Sequence, residues 1–99
     1  MNHEQYIQRM VALGYSREGA EDLIWLPRDS SDLVLRSFNF VPVGDGLFEI
    51  WLSGDRDDFF RVGAGGKKFL GTLSDAYEYV FEDRRKRQEE RIARRPQPE

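Results

Sequence analysis

The sequence predicts an α+β domain with two N-terminal helices, a three- to four-stranded antiparallel β-meander and a long C-terminal helix packed on the sheet. Three observations carry this. Apolar residues recur at three- and four-residue spacing from Tyr6 to Ile24, alternate with polar ones from Phe38 onward, and return to helical spacing after Thr72. Glycine-rich turns cut the alternating stretch into short segments.

Asn2 stands where a helix cap is needed, and Gln5 occupies the capping-box position. Tyr6, Ile7, Met10, Val11 and Leu13 then form one apolar stripe, which Gly14 stops. Ser16 caps a second helix with Ala20, Leu23 and Ile24 on one face, and Pro27 cannot continue it. Residues 29–35, Asp-Ser-Ser-Asp-Leu-Val-Leu, suit a capped helical turn and a strand entry equally, and are read as a connection.

Phe38 and Phe40 alternate with Ser37 and Asn39, and Gly44-Asp45-Gly46 makes a turn. Phe48, Ile50 and Leu52 share the next strand's inner face, with Leu47, Glu49 and Trp51 on the other. Gly54-Asp55-Arg56-Asp57 turns into a third strand at Phe60 and Val62, and Gly63-Ala64-Gly65-Gly66 turns again into Lys67-Lys68-Phe69-Leu70. Parallel strands need a crossover of about a dozen residues, so segments joined by such short turns pair antiparallel. Thr72 and Asp75 cap the last helix, which offers Leu73, Ala76, Tyr77, Val80 and Phe81 to the sheet.

A chain of 99 residues, 39% of them hydrophobic, can bury a single core. The predicted organisation is a compact domain over 1–81, a charged extension of the last helix over 82–95, and a disordered tail over 96–99 carrying Pro96 and Pro98. The net charge of −3 is unevenly spread: residues 1–80 carry 8 basic and 13 acidic side chains, residues 81–95 seven and four. An acidic body is joined to a basic rod.

There is no cysteine, so disulfides, thiolate metal sites and a thiol nucleophile are excluded, and a reducing cytoplasmic location is expected. Met1-Asn2-His3-Glu4-Gln5 lacks a signal-peptide pattern, and nothing approaches the roughly 20 apolar residues of a membrane span. The one histidine, His3, leaves no Ser/His/Asp or Cys/His array, so the expectation is a non-enzymatic protein with no cofactor and no metal. Asp55, Asp57 and Asp58, with Asp45 and Glu49, form an acidic patch suited to a hard cation, but the spacing of a calcium loop is missing and a solvated turn is the reading preferred. Gly63-Ala64-Gly65-Gly66-Lys67-Lys68 suggests a phosphate loop, yet Arg61 stands where glycine is required and Lys68 where serine or threonine is.

Two limited resemblances are present. The helix–sheet–helix order, with a glycine turn and two lysines before the last helix, is similar to double-stranded-RNA-binding domains, which place lysines against phosphates. Here the spacing is one residue short, Phe69-Leu70-Gly71 interrupts the motif, and Asp75 and Glu78 put negative charge where phosphate would lie. Met10-Val11-Ala12-Leu13-Gly14-Tyr15-Ser16-Arg17-Glu18 looks like the first loop of ubiquitin-associated domains, where a glycine–aromatic turn contributes to a partner-binding patch. That family needs three helices in about forty residues, whereas this chain moves into strands, so Gly14 and Tyr15 are read as a helix stop and a core aromatic.

The candidate partner-binding residues fall in three groups. Trp25 and Trp51 are potential interface anchors. Asp55, Asp57 and Asp58 form the acidic turn. Arg84, Arg85 and Arg87, with Lys86, Arg91, Arg94 and Arg95, could attract phosphate, although Glu82, Asp83 and Glu90 precede Lys86, Arg87 and Arg94 at the pairing distance of four residues. The function expected is a small protein-binding module, an adaptor or stoichiometric inhibitor of phage or mobile-element type. The alternative is a nucleic-acid-associated protein using the basic helix. The partner's identity and the oligomeric state are left open.

Overall fold

A computed structural model describes residues 1–93; Arg94, Arg95 and the tail expected over 96–99 lie outside the described residues. Helix α1 (His3–Ala12) begins at a full capping box: Asn2 Oδ1 accepts the Gln5 amide at 2.8 Å and Gln5 Oε1 accepts the Asn2 amide at 2.9 Å. Gly14 ends it at φ +109°, a conformation that favours glycine. Helix α2 (Arg17–Asp22), capped by Ser16, is shorter than the sequence suggests. The helix ends at its C-cap Leu23, whose carbonyl accepts the Phe38 amide because Pro27, four residues on, has no amide hydrogen to give, and Ile24–Trp25 becomes β1.

This change alters the sheet. Strands β2 (Phe38–Gly44), β3 (Leu47–Ser53) and β4 (Phe59–Arg61) are the expected antiparallel meander, but β1 adds to β2 in parallel, giving a mixed sheet of order β1-β2-β3-β4. Residues 26–37 are long enough to serve as the crossover a parallel pair requires. They contain neither the helix nor the strand weighed for 29–35, only turns and bends. The strand expected over 67–70 does not extend the meander either. Lys67–Lys68, β6, pairs only with Gly63–Ala64, β5, in a separate two-stranded sheet, before Gly71 bridges back to Phe48 of β3.

Two of the turns have the geometry that right-handed strand twist demands. Asp45 and Gly46, and Gly65 and Gly66, all lie at positive φ between paired residues, as in two-residue hairpin turns.

Helix α3 (Leu73–Ala93) crosses the inner sheet face behind a reciprocal cap between Thr72 and Asp75. Tyr6, Ile7, Met10, Phe38, Phe40, Ile50, Ala76, Tyr77 and Val80 form the buried core. Phe40 and Tyr6 each pack on Tyr77 with ring centroids 5.3 Å apart. The Tyr6 hydroxyl, fully buried, donates to the Ala20 carbonyl at 2.8 Å and ties α1 to α2.

Packing of α3 continues past Phe81. The Arg84 guanidinium lies over the Phe38 ring, 5.1 Å from its centroid, and Gln88 Nε2 donates to the Leu13 carbonyl at 2.8 Å. Tyr15 is half-buried against the core, as the sequence suggests. No helix among the described residues is long and apolar enough to cross a membrane.

Candidate functional site

Cross-strand register places Trp25, Asn39, Trp51 and Arg61 in one row across the sheet, on the face away from α3. Asn39 is fully buried in the middle of that row. Its Oδ1 accepts the Val34 amide at 2.8 Å, and its Nδ2 reaches the carbonyls of Val34, Ser37 and Trp51 at 3.0, 3.0 and 3.1 Å. One side chain thus fastens the crossover to the sheet. Ser37 Oγ bonds the Asp22 carbonyl at 2.8 Å, and the Arg36 amide bonds Ser53 Oγ at 2.9 Å. Arg36 holds φ +67° to turn between these two anchors.

The crossover, held this way, cannot tuck its apolar residues inward. Val34 and Leu35 stay exposed beside Trp25, which is 41% accessible and whose Nε1 donates to the Asp32 carbonyl at 2.9 Å. Leu23, Ile24, Trp25, Val34 and Leu35 line a cleft of about 570 Å³ at the sheet edge, with Glu21, Asp22 and Arg36 adding charge. Leu26, next in sequence, is half exposed. The surrounding segment is acidic: Glu18, Glu21, Asp22, Asp29 and Asp32 outnumber Arg17, Arg28 and Arg36, with Arg17 held to Glu21 at 3.1 Å. Hydrogen bonds from Ser31 hold the Asp29 carboxyl below its ordinary range, so it is charged near neutrality.

The other candidates are dispersed. Trp51 is half-buried; its Nε1 donates to Glu49 Oε1 at 3.1 Å, and Glu49 is ion-paired to Arg61 at 3.0 Å. Asp55 and Asp57 line a second cleft of about 680 Å³ with Leu35, Arg36 and Arg84, while Asp58 closes the turn through its carbonyl, 2.7 Å from the Gly54 amide. Among the described residues no group of three His, Asp or Glu side chains is placed to hold a metal ion.

The arginines separate by helical phase. Arg85 is held by Glu82 and Glu89, each at 2.6 Å, and these bonds lower the Glu82 pKa and raise that of Arg85. Glu82 therefore pairs three residues on rather than with Lys86, whereas the Asp83–Arg87 pair forms at 3.2 Å as spaced. Arg84 and Arg87 instead line a groove between α3 and the α1–α2 turn.

Of the residues lining the edge cleft, the sequence reading singled out Trp25 as a candidate anchor and passed over Val34 and Leu35. The signal available was the apolar triplet Leu33-Val34-Leu35 in a segment otherwise too polar to be core. No protein family, curated protein or solved structure matches this chain.

Proposed function

We propose that the protein is a non-enzymatic protein-binding module, an adaptor or stoichiometric inhibitor, whose contact surface is the edge cleft around Trp25, Val34 and Leu35. The observation that supports this most strongly is the grouping of exposed large apolar side chains at Trp25, Leu26, Val34 and Leu35. Contiguous exposed apolar surface with a polar rim is the pattern of interaction sites, and a tryptophan in such a patch is the usual anchor. The acidic surroundings favour a partner that offers apolar side chains flanked by lysine or arginine.

The test is affinity capture from the native host at moderate salt, comparing the wild type with a Trp25→Ala/Leu35→Glu variant. A protein retained by the first and lost by the second, with amide-exchange protection of the β2–β3 core retained, is the expected result. Equal recovery by both would overturn the reading. Recovery of nucleic acid that disappears with salt and with neutralisation of Arg84, Arg85 and Arg87 together would instead favour the nucleic-acid alternative.

A further inference from the structure

We infer that the groove between α3 and the α1–α2 turn is a binding site for a phosphate monoester carried on an apolar or aromatic body. It is independent of the edge cleft. Arg84, Arg87 and Arg91 fall at i, i+3 and i+7 on one face of α3 and line a groove of about 500 Å³, within the range of small-ligand sites. Among the described residues no carboxylate lines it, and the acidic side chain paired with these arginines is Asp83, whose Oδ2 lies 3.2 Å from Arg87 Nε and 3.7 Å from Arg84 Nε. Three guanidiniums against one carboxylate leave a formal excess of two positive charges. A phosphate monoester, with a charge of about −1.5 to −2 at neutral pH, matches that excess; a carboxylate or a single phosphodiester does not.

The opposite wall explains the apolar body. Leu13, Tyr15 and Ile92 line the groove with the arginines, and Gly14 leaves open space where a Cβ would stand. Inorganic phosphate would fill only part of such a groove. Polar atoms are also left wanting partners: Arg84 Nε and Gln88 Oε1 are buried and make no hydrogen bond among the described residues, while Gln88 Nε2 is committed to the Leu13 carbonyl. Asp83 Oδ2 is buried without a hydrogen bond as well, so this stretch of α3 carries polar groups whose cost is not offset within the described residues. Guanidinium pairs are the side chains best shaped for a phosphate monoester.

The test is an NMR titration of the full chain, following the Gly14, Tyr15 and Gln88 amides, with phenyl phosphate, a phosphotyrosyl peptide, inorganic phosphate and a single-stranded oligonucleotide. Saturable shifts are expected with both monoesters, and whichever of the two binds more tightly indicates a free or a protein-borne source. Inorganic phosphate should bind more weakly. Affinity for phenyl phosphate should weaken several-fold between about pH 7.5 and 5, as the ester loses its second charge near pH 6. It should fall about tenfold or more in Arg87→Gln/Arg91→Gln, a pair chosen because Arg84 also packs on Phe38 and its loss would confound folding with binding. No saturable shift at millimolar phenyl phosphate, undiminished affinity in the double variant of unchanged stability, or tighter binding of the oligonucleotide at the same amides would overturn the assignment.

Discussion

The Asn39 side chain holds Val34 by both ends of its peptide, accepting its amide at 2.8 Å and donating to its carbonyl at 3.0 Å. It does for the crossover what a neighbouring strand would do, from a position fully removed from solvent. Asn39→Leu keeps the branched shape with a bulkier side chain and leaves the Val34, Ser37 and Trp51 groups without this partner. A loss of about 2–3 kcal/mol is expected in urea unfolding. If the cleft is the contact surface, partner binding should fail in this variant while the remaining fold is still assembled, a separation that amide exchange of the Val34 and Leu35 segment against the β2–β3 core would detect.

Tyr6 gives a prediction in pH. Burial pushes its hydroxyl well above the ordinary tyrosine value of 10.0. A raised folded pKa means the folded state retains the proton that the unfolded chain releases, so this contribution is complete below pH 10 and is lost as pH rises beyond it. Unfolding measured from pH 7 to 11 should show an alkaline decline that is smaller in Tyr6→Phe; the burial of Tyr77 and Tyr79, which shifts them the same way, supplies the remainder. At pH 7 the same substitution should cost about 1–2 kcal/mol, since the Ala20 carbonyl loses its donor.

Gly63 is required for a different reason from the turn glycines. A Cβ there would stand 1.8 Å from the Lys67 carbonyl oxygen, and the obstacle is backbone rather than a side chain that can swing away. Gly63→Ala should therefore break the β5–β6 pairing and displace the Gly63 carbonyl from the Tyr79 hydroxyl, now 3.0 Å away. The expected cost is about 1–3 kcal/mol, with loss of exchange protection at the Phe69 amide, which donates to the Val62 carbonyl at 2.8 Å.

The elements were legible where local chemistry fixes them. Asn2 with Gln5, Thr72 with Asp75, and the Asp45-Gly46 turn each specify their geometry within a few residues, and all three adopt it. Helical spacing misled at Leu23 and Ile24, because an apolar run ahead of a proline fits the end of an amphipathic helix and a short edge strand alike; only pairing to Phe38, fourteen positions beyond Ile24, decides between them. The same long-range dependence hid the cleft. Val34 and Leu35 are exposed because Asn39, Ser37 and Arg36 anchor the backbone around them, and no periodicity records that.

The charged end of α3 supplies the last test, because neighbouring arginines there have different surroundings. Sequence alone makes residues 82–95 an exposed extension that can be removed without harm to the fold. Arg84, however, lays its guanidinium over Phe38, with its side chain only 21% accessible, whereas Arg85 engages Glu82 and Glu89 at the surface. Arg84→Ala should lower stability by about 1 kcal/mol or more, through the lost cation–π contact and the buried aliphatic stem. Arg85→Ala should leave the urea midpoint unchanged within error, because exposed ion pairs are screened by solvent. Truncation after Asp83 should be worse than Arg84→Ala, since it also removes the Gln88 bond to the Leu13 carbonyl and uncovers the α1–α2 turn. Equal midpoints for the truncated and full chains would mean that the contacts beyond Phe81 contribute nothing to holding α3 on the body.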